Sequence, residues 1–173
     1  NVVCAQKSQL KPLVDLLEDS DIYLKTITTE EFAFTSLVPF QEQAVMLICQ
    51  QPNEEVVILI VKHGRIFFHR RLRGLAQIGH KTEEELSFGA IDSLSLEIQR
   101  STDYFERQLK QAPIKMIKVL LPVKTETFIA RKLAENSNLP VELLDLPEPY
   151  QNERDYAVSI GALRLFLANT EAG

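Results

Sequence analysis

Val45-Met46-Leu47-Ile48-Cys49, Val56-Val57-Ile58-Leu59-Ile60-Val61 and Arg65-Ile66-Phe67-Phe68-His69-Arg70-Arg71-Leu72 are three strand-like runs separated by short polar breaks. Gln50-Gln51-Pro52-Asn53 reads as one turn and His63-Gly64 as the other. Connections this short join antiparallel neighbours, because a parallel crossover needs about a dozen residues or more. The spacing therefore predicts a β-meander. Downstream, beyond Gly74 and Gly79, a long helix opens on Thr82 with Glu83, Glu84 and Glu85 in its first turn. Ile91, Leu94, Ile98, Phe105 and Leu109 recur along one face of it, with Thr102 in the gap, and Pro113 closes the region. Residues 116–121 read as a strand, 125–136 as a helix and 141–146 as another strand. Asn152, with Asp155 three residues on, predicts a cap for a last helix reaching Leu167.

Upstream of the meander, Val2-Val3-Cys4-Ala5 reads as a short strand. Leu10, Leu13, Leu16 and Leu17 follow at helical spacing, ended by the turn chemistry of Asp19-Ser20-Asp21. Residues 22–27 are β-rich, and Thr28 stands three residues before Glu31, the capping-box spacing, announcing a helix that Pro39 stops. Residues 1–42 thus read βαβα, and residues 43–173 read βββαβαβα. The second order is that of one complete half of the actin-like, ribonuclease-H-like α/β architecture. The first matches the tail of a preceding half. Those two stretches are the expected subdomains, and the Asn1 start suggests a piece of a longer chain.

Composition narrows the classes. The chain has 173 residues, 45% apolar and 25% charged, which are globular rather than disordered proportions. A net charge of -5 argues against a nucleic-acid binder that works by neutralising phosphates. The longest aliphatic run, residues 56–61, is too short to span a bilayer. Two cysteines, Cys4 and Cys49, make no disulfide framework and suit a reducing compartment.

Several stretches carry a family resemblance. Residues 96–105, Leu-Glu-Ile-Gln-Arg-Ser-Thr-Asp-Tyr-Phe, resemble the long helix of the type IV pilus assembly PilM family of actin-like ATPases. The hairpin from His63 to Gly74 resembles that family's second meander. Leu139-Pro140-Val141-Glu142-Leu143-Leu144-Asp145 is similar to its strand after the adenosine loop, and Tyr156-Ala157-Val158-Ser159-Ile160-Gly161-Ala162-Leu163 to its last helix. The resemblance covers most of residues 43–168 and, more weakly, 1–42.

Two departures qualify what the resemblance implies. The family's phosphate turn carries an Asp and a Gly, because glycine lets backbone N–H groups approach phosphate oxygens. Here that turn is Cys49-Gln50-Gln51-Pro52-Asn53-Glu54-Glu55, without glycine, with a proline that lacks an N–H and with two adjacent carboxylates. The family's glycine-rich adenosine loop falls on Leu121-Pro122-Val123-Lys124-Thr125, again without glycine. Such loss is what two relatives imply, the mannose-sensitive haemagglutinin pilus protein MshI and the cytoplasmic part of the type II secretion protein GspL. The MshI side matches the long and last helices better. The resemblance then implies a non-catalytic scaffold on the cytoplasmic face of the bacterial inner membrane, without cofactor, nucleic acid or metal. It would dock an assembly ATPase and other platform proteins, reach the membrane through a segment outside these residues, and leave a homodimer open. The rival expectation is a nucleotide-binding PilM-type ATPase.

The chemistry-bearing residues offer little to a catalytic reading. His63, His69 and His80 share no ligand spacing with an acid or cysteine, and read as hairpin histidines. Cys4 and Cys49 lie inside apolar patterns and read as core thiols. Glu83, Glu84 and Glu85 suit the positive end of a helix. Ser87, Ser93, Ser95 and Ser101 lack a nucleophile elbow. Gly161 inside the last helix reads as a close-packing position. No catalytic residue is expected. Lys62, Arg65, Arg70, Arg71 and Arg73 crowd one hairpin of an acidic chain. One reading is a solvated strand face. The other makes Arg70, Arg71 and Arg73 a docking edge for an acidic partner or anionic lipid headgroups.

Overall fold

The three runs fold as the meander their turns dictate. The structure, a computed structural model, describes residues 5–171. Strands β1 (Val45–Cys49), β2 (Val56–Lys62) and β3 (Arg65–Leu72) pair antiparallel in sequence. His63 and Gly64 both take positive φ, 52° and 67°, the mirror-type turn whose twist suits a two-residue hairpin. The β2–β3 register shifts at Ile60/Val61, where Phe68 and Ile66 are the partners and Phe67 is the extra residue. β4 (Met116–Leu120) joins β1 in parallel, and β5 (Val141–Leu143) joins β4 in parallel. The sheet order is β3-β2-β1-β4-β5. Helices cover both faces, so β1 is buried along its whole length and β2 as far as Val61, which is why both read as unbroken apolar runs.

On one face lie α3 (Glu83–Glu85), α4 (Ile91–Asp103) and α5 (Glu126–Asn136). Here Leu94, Ile98, Phe105, Ile129 and Leu133 pack on Met46, Ile48, Ile58 and Ile60. On the other face lie α2 (Glu30–Leu37) and α6 (Ala157–Glu171), where Phe34, Leu37 and Ile160 pack on Leu47, Leu59 and Val61. So α2, which the sequence groups with residues 1–42, rests on this sheet. Gly161 sets the approach of these two helices: a Cβ built there would stand 2.1 Å from the backbone oxygen of Ala33. Ser36 Oγ donates to the Gly161 carbonyl at 2.6 Å across the same contact.

Helix α1 (Lys7–Asp19) forms where the leucine spacing places it, yet none of its residues is buried, and Leu13 and Leu16 stand exposed. Residues 22–27 form no strand: β-propensity alone orders nothing without a neighbouring ladder, and Ile22, Tyr23 and Ile27 lie in water. The strand expected at Val2-Val3-Cys4-Ala5, and Cys4 with it, lies outside the described residues apart from Ala5. Thr28 does not cap α2. Thr29 occupies the cap position, and its side chain makes no capping bond. At Thr82 the capping box is complete, with Glu85 N–H donating to Thr82 Oγ1 at 3.2 Å and Thr82 N–H to Glu85 Oε2 at 2.8 Å. Those bonds hold the Glu85 carboxyl below its ordinary range, the backbone one most. The long helix is interrupted at Phe88 and Gly89, the latter at φ 111°, before α4 resumes. The strand expected over 141–146 stops at Leu143, and Asn152 does not cap α6, whose entry is instead a tight turn over Arg154–Tyr156. Among the described residues no helix is long and apolar enough to cross a membrane.

Candidate functional site

Ligands of open α/β sheets bind outside the carboxyl ends of the strands. In this chain that place is the crevice beyond β1 and β4, where Gln50 N–H continues the ladder to Leu120 O at 3.2 Å. The two stretches that stand at the family's phosphate-turn and adenosine-loop positions, residues 49–55 and 121–125, do meet there. Their own side chains fill much of it. Gln50 is 2% exposed. Its amide donates to Glu54 O at 2.6 Å and to Leu75 O and Ala76 O at 3.3 Å each, tying the turn to the loop that follows β3. Glu55 accepts from Gly74 N–H and Leu75 N–H, both at 3.1 Å. Val123 abuts the opposite wall, its Cγ1 being 2.7 Å from where a Cβ on Gly79 would lie. What is left is a crevice of about 230 Å³ lined by Gln50, Pro52, Asn53, His80, Val123 and Asp155, among others. Pockets for drug-sized ligands run to about 300–1,000 Å³. Glu54 and Glu55 do not line it; Asp155 is the acid that does.

Behind the crevice sits a feature that residue spacing did not reveal. Glu126 at the start of α5 is 6% exposed and accepts from Leu121 N–H at 2.7 Å. It is paired with Arg154, whose guanidinium also donates to Leu144 O at 3.1 Å and Val119 O at 3.3 Å. One arginine thus fastens the ends of β4 and β5, the start of α5 and the entry to α6. Burial pushes the Glu126 carboxyl up from its ordinary value, against the pull of Arg154.

The arginines singled out by sequence are not brought together. Alternation along β3 sends Arg70 and Arg71 to opposite faces. Arg70 Nη1 meets Glu97 Oε2 at 2.8 Å on the α4 side, over the Phe68 ring. Arg71 pairs with Glu30 on the α2 side and approaches Glu31 at 3.7 Å. Arg73 is exposed beyond the strand end. The histidines are exposed: His63 stacks near Phe40 at the hairpin tip, and His80 Nε2 lies 3.2 Å from Asn53 Oδ1 beside the crevice. Cys49 is buried in β1, and its thiol is pushed up chiefly by burial. Among the described residues no three His, Cys, Asp or Glu side chains cluster as metal ligands would.

No protein-family model matches this chain, and no curated protein matches it. Solved structures do. A chain described as the PilM-PilN type IV pilus biogenesis complex superposes with a TM-score of 0.66 at 12% identity, covering 94% of this chain and 58% of that one. Ethanolamine utilization protein EutJ from Carboxydothermus hydrogenoformans gives 0.59 at 12% identity, covering 94% of this chain and 62% of that one. The activator of the 2-hydroxyisocaproyl-CoA dehydratase from Clostridium difficile with bound ADPNP gives 0.52 at 11% identity, covering 96% and 82%. This chain therefore spans less than two thirds of the first two. Identity this low shows fold and nothing more, and the fold is actin-like.

Proposed function

We propose that this chain is a non-catalytic actin-like scaffold domain of a type IV pilus assembly machine, of the MshI kind, at the cytoplasmic face of the bacterial inner membrane. The observation that carries the non-catalytic part is the crevice beyond β1 and β4, braced by the Gln50 amide and narrowed by Val123. Backbone N–H groups that would cradle a phosphate are absent at Pro52, and the Gly74 and Leu75 N–H groups already serve Glu55. The likeness to a chain from a PilM-PilN complex supports the pilus setting. Its partners in this reading are platform proteins and the assembly ATPase. The rival reading, a PilM-type ATPase, has the ADPNP-bound activator among its fold relatives in its favour. Phosphate release from Mg-ATP by the full-length protein separates them: none above the blank for the scaffold, saturable turnover for the ATPase.

Docking through Arg70, Arg71 and Arg73 is part of the same proposal, and the ion pairs shape its test. Glutamate at Arg70 or Arg71 would face Glu97, or Glu30 and Glu31, and would destabilise the fold for an unrelated reason. The triple variant Arg70→Gln, Arg71→Gln, Arg73→Gln avoids this. Its binding to the assembly ATPase should weaken about fivefold or more at low salt, and less at high salt. Unchanged binding by a folded variant would return the cluster to a solvated strand, and loss of anionic-vesicle binding alone would point to lipid instead.

A further inference from the structure

A second concavity, of about 670 Å³, lies elsewhere, between α4 and the end of α5. One wall is a stripe of α4 running from Asp92 through Ser95, Leu96, Gln99 and Thr102 to Asp103. At about 1.5 Å per helical residue this stripe is about 16 Å long. The other wall is Leu133, Asn136, Asn138 and Leu139, at the end of α5 and the start of the loop into β5. Asn136 Nδ2 donates to Ser95 Oγ at 3.1 Å, joining the two walls. Leu96 is 45% exposed in the trough, while Ile98 on the same wall is buried.

The charge distribution is one-sided. An aspartate stands at each end of the stripe, and no lysine or arginine lines the trough. Asp103 has one ionic partner, Arg107 at 3.4 Å, an exposed pair of small worth. The carboxyl end of α5 adds to this, since its last turn holds no basic residue to offset the partial negative charge of the free carbonyls. Between the acids lie leucines and a rim of amide and hydroxyl groups. Such groups serve a backbone whose N–H and C=O groups are free, which an extended chain has and a helix does not.

We propose that this trough docks an extended segment of a partner protein with the pattern basic–polar–apolar–polar–basic. In an extended chain residues two apart share a face, so the apolar side chain meets Leu96 and Leu139 while the two basic ones flank it. The basic positions are about 13 Å apart along the backbone, and their long side chains reach Asp92 and Asp103. This deepens the scaffold reading and rests on it, but its test uses no nucleotide, so failure of one is told apart from failure of the other.

The experiment is fluorescence anisotropy on the full-length protein with two labelled peptide pools. One carries Lys or Arg at the ends of that pattern and the other Asp or Glu. At low salt the basic-ended pool should bind about tenfold tighter or better, and the variant Asp92→Lys, Asp103→Lys should reverse the order. Leu96→Gln should weaken the basic-ended pool without reversing the preference. Equal binding of both pools, or a double variant that behaves as the parent, overturns the proposal. So does a change in sedimentation mass of the double variant, because the trough would then be a contact between copies of the protein.

Discussion

Arg154→Met should lower stability by about 3–5 kcal/mol, the cost of leaving a buried carboxylate without its counter-charge. In a chain of this size that is a fall in melting temperature of about 6–20 °C. The geometry accounts for the size of the effect. Glu126 is almost wholly buried, and besides Arg154 it accepts from Leu121 N–H. Adding Glu126→Gln to Arg154→Met should restore much of the loss, since no unpaired charge then remains. A loss below about 1 kcal/mol from Arg154→Met would place the pair with exposed ion pairs instead. Glu126 also carries a pH signature. Its carboxyl is raised in the folded chain by burial, so folding favours the neutral form. The contribution is complete below the unfolded carboxylate value of about 4.3 and is lost as pH rises through the higher folded value. Chemical denaturation from pH 4 to 7 should therefore show the Glu126→Gln variant gaining on the parent protein as pH rises. The opposite trend would mean that pairing with Arg154 outweighs burial.

Gly161→Ala should destabilise by about 2 kcal/mol or more, although alanine inside an unconstrained helix would gain about 1 kcal/mol over glycine. The new Cβ would meet Ala33 O at 2.1 Å and Ala33 C at 2.6 Å. These are backbone atoms of α2, so no rotamer change relieves the clash. The helices must separate, loosening Phe34, Leu37 and Ile160 and stretching the bond from Ser36 to the Gly161 carbonyl. A thermal melt of Gly161→Ala reads this directly. A variant as stable as the parent, or more so, would show that α2 and α6 do not pack this closely.

The parts of the fold that were legible are those governed by neighbours in sequence. Two residues between β2 and β3 leave room only for a hairpin, and His63-Gly64 can adopt the positive φ values it needs. The Thr82 opening of the long helix needs only Thr82 and Glu85, and both of their capping bonds form. Gly161 was legible because a glycine in an apolar helix has few other reasons to be there. What failed depended on distant partners. Residues 22–27 have strand composition and no strand beside them. Asn152 and Asp155 have capping spacing, but the entry to α6 is held by Arg154 reaching Glu126, 28 positions away. For the arginines of β3, composition shows the residues but not their partners: alternation sends Arg70 and Arg71 to acids on different helices. At the crevice, the absence of glycine from both loops was legible, but the two adjacent carboxylates of the turn do not line it. Glu55 is occupied by Gly74 and Leu75, and it is the Gln50 amide, a residue with no motif, that braces the turn.

The central claim is that these loops do not hold a nucleotide, and a melting curve of the full-length protein against Mg-ATP tests it most directly. A ligand at about 100 times its dissociation constant stabilises by about 2.7 kcal/mol. For a protein bound at about 10 μM, 1 mM Mg-ATP would raise the melting temperature by about 5–10 °C if the stability gain were felt by a domain of this size. The scaffold account predicts no shift at 1 mM, in the parent or in the Arg70→Gln, Arg71→Gln, Arg73→Gln variant. A saturable rise with a midpoint in the micromolar range would contradict it.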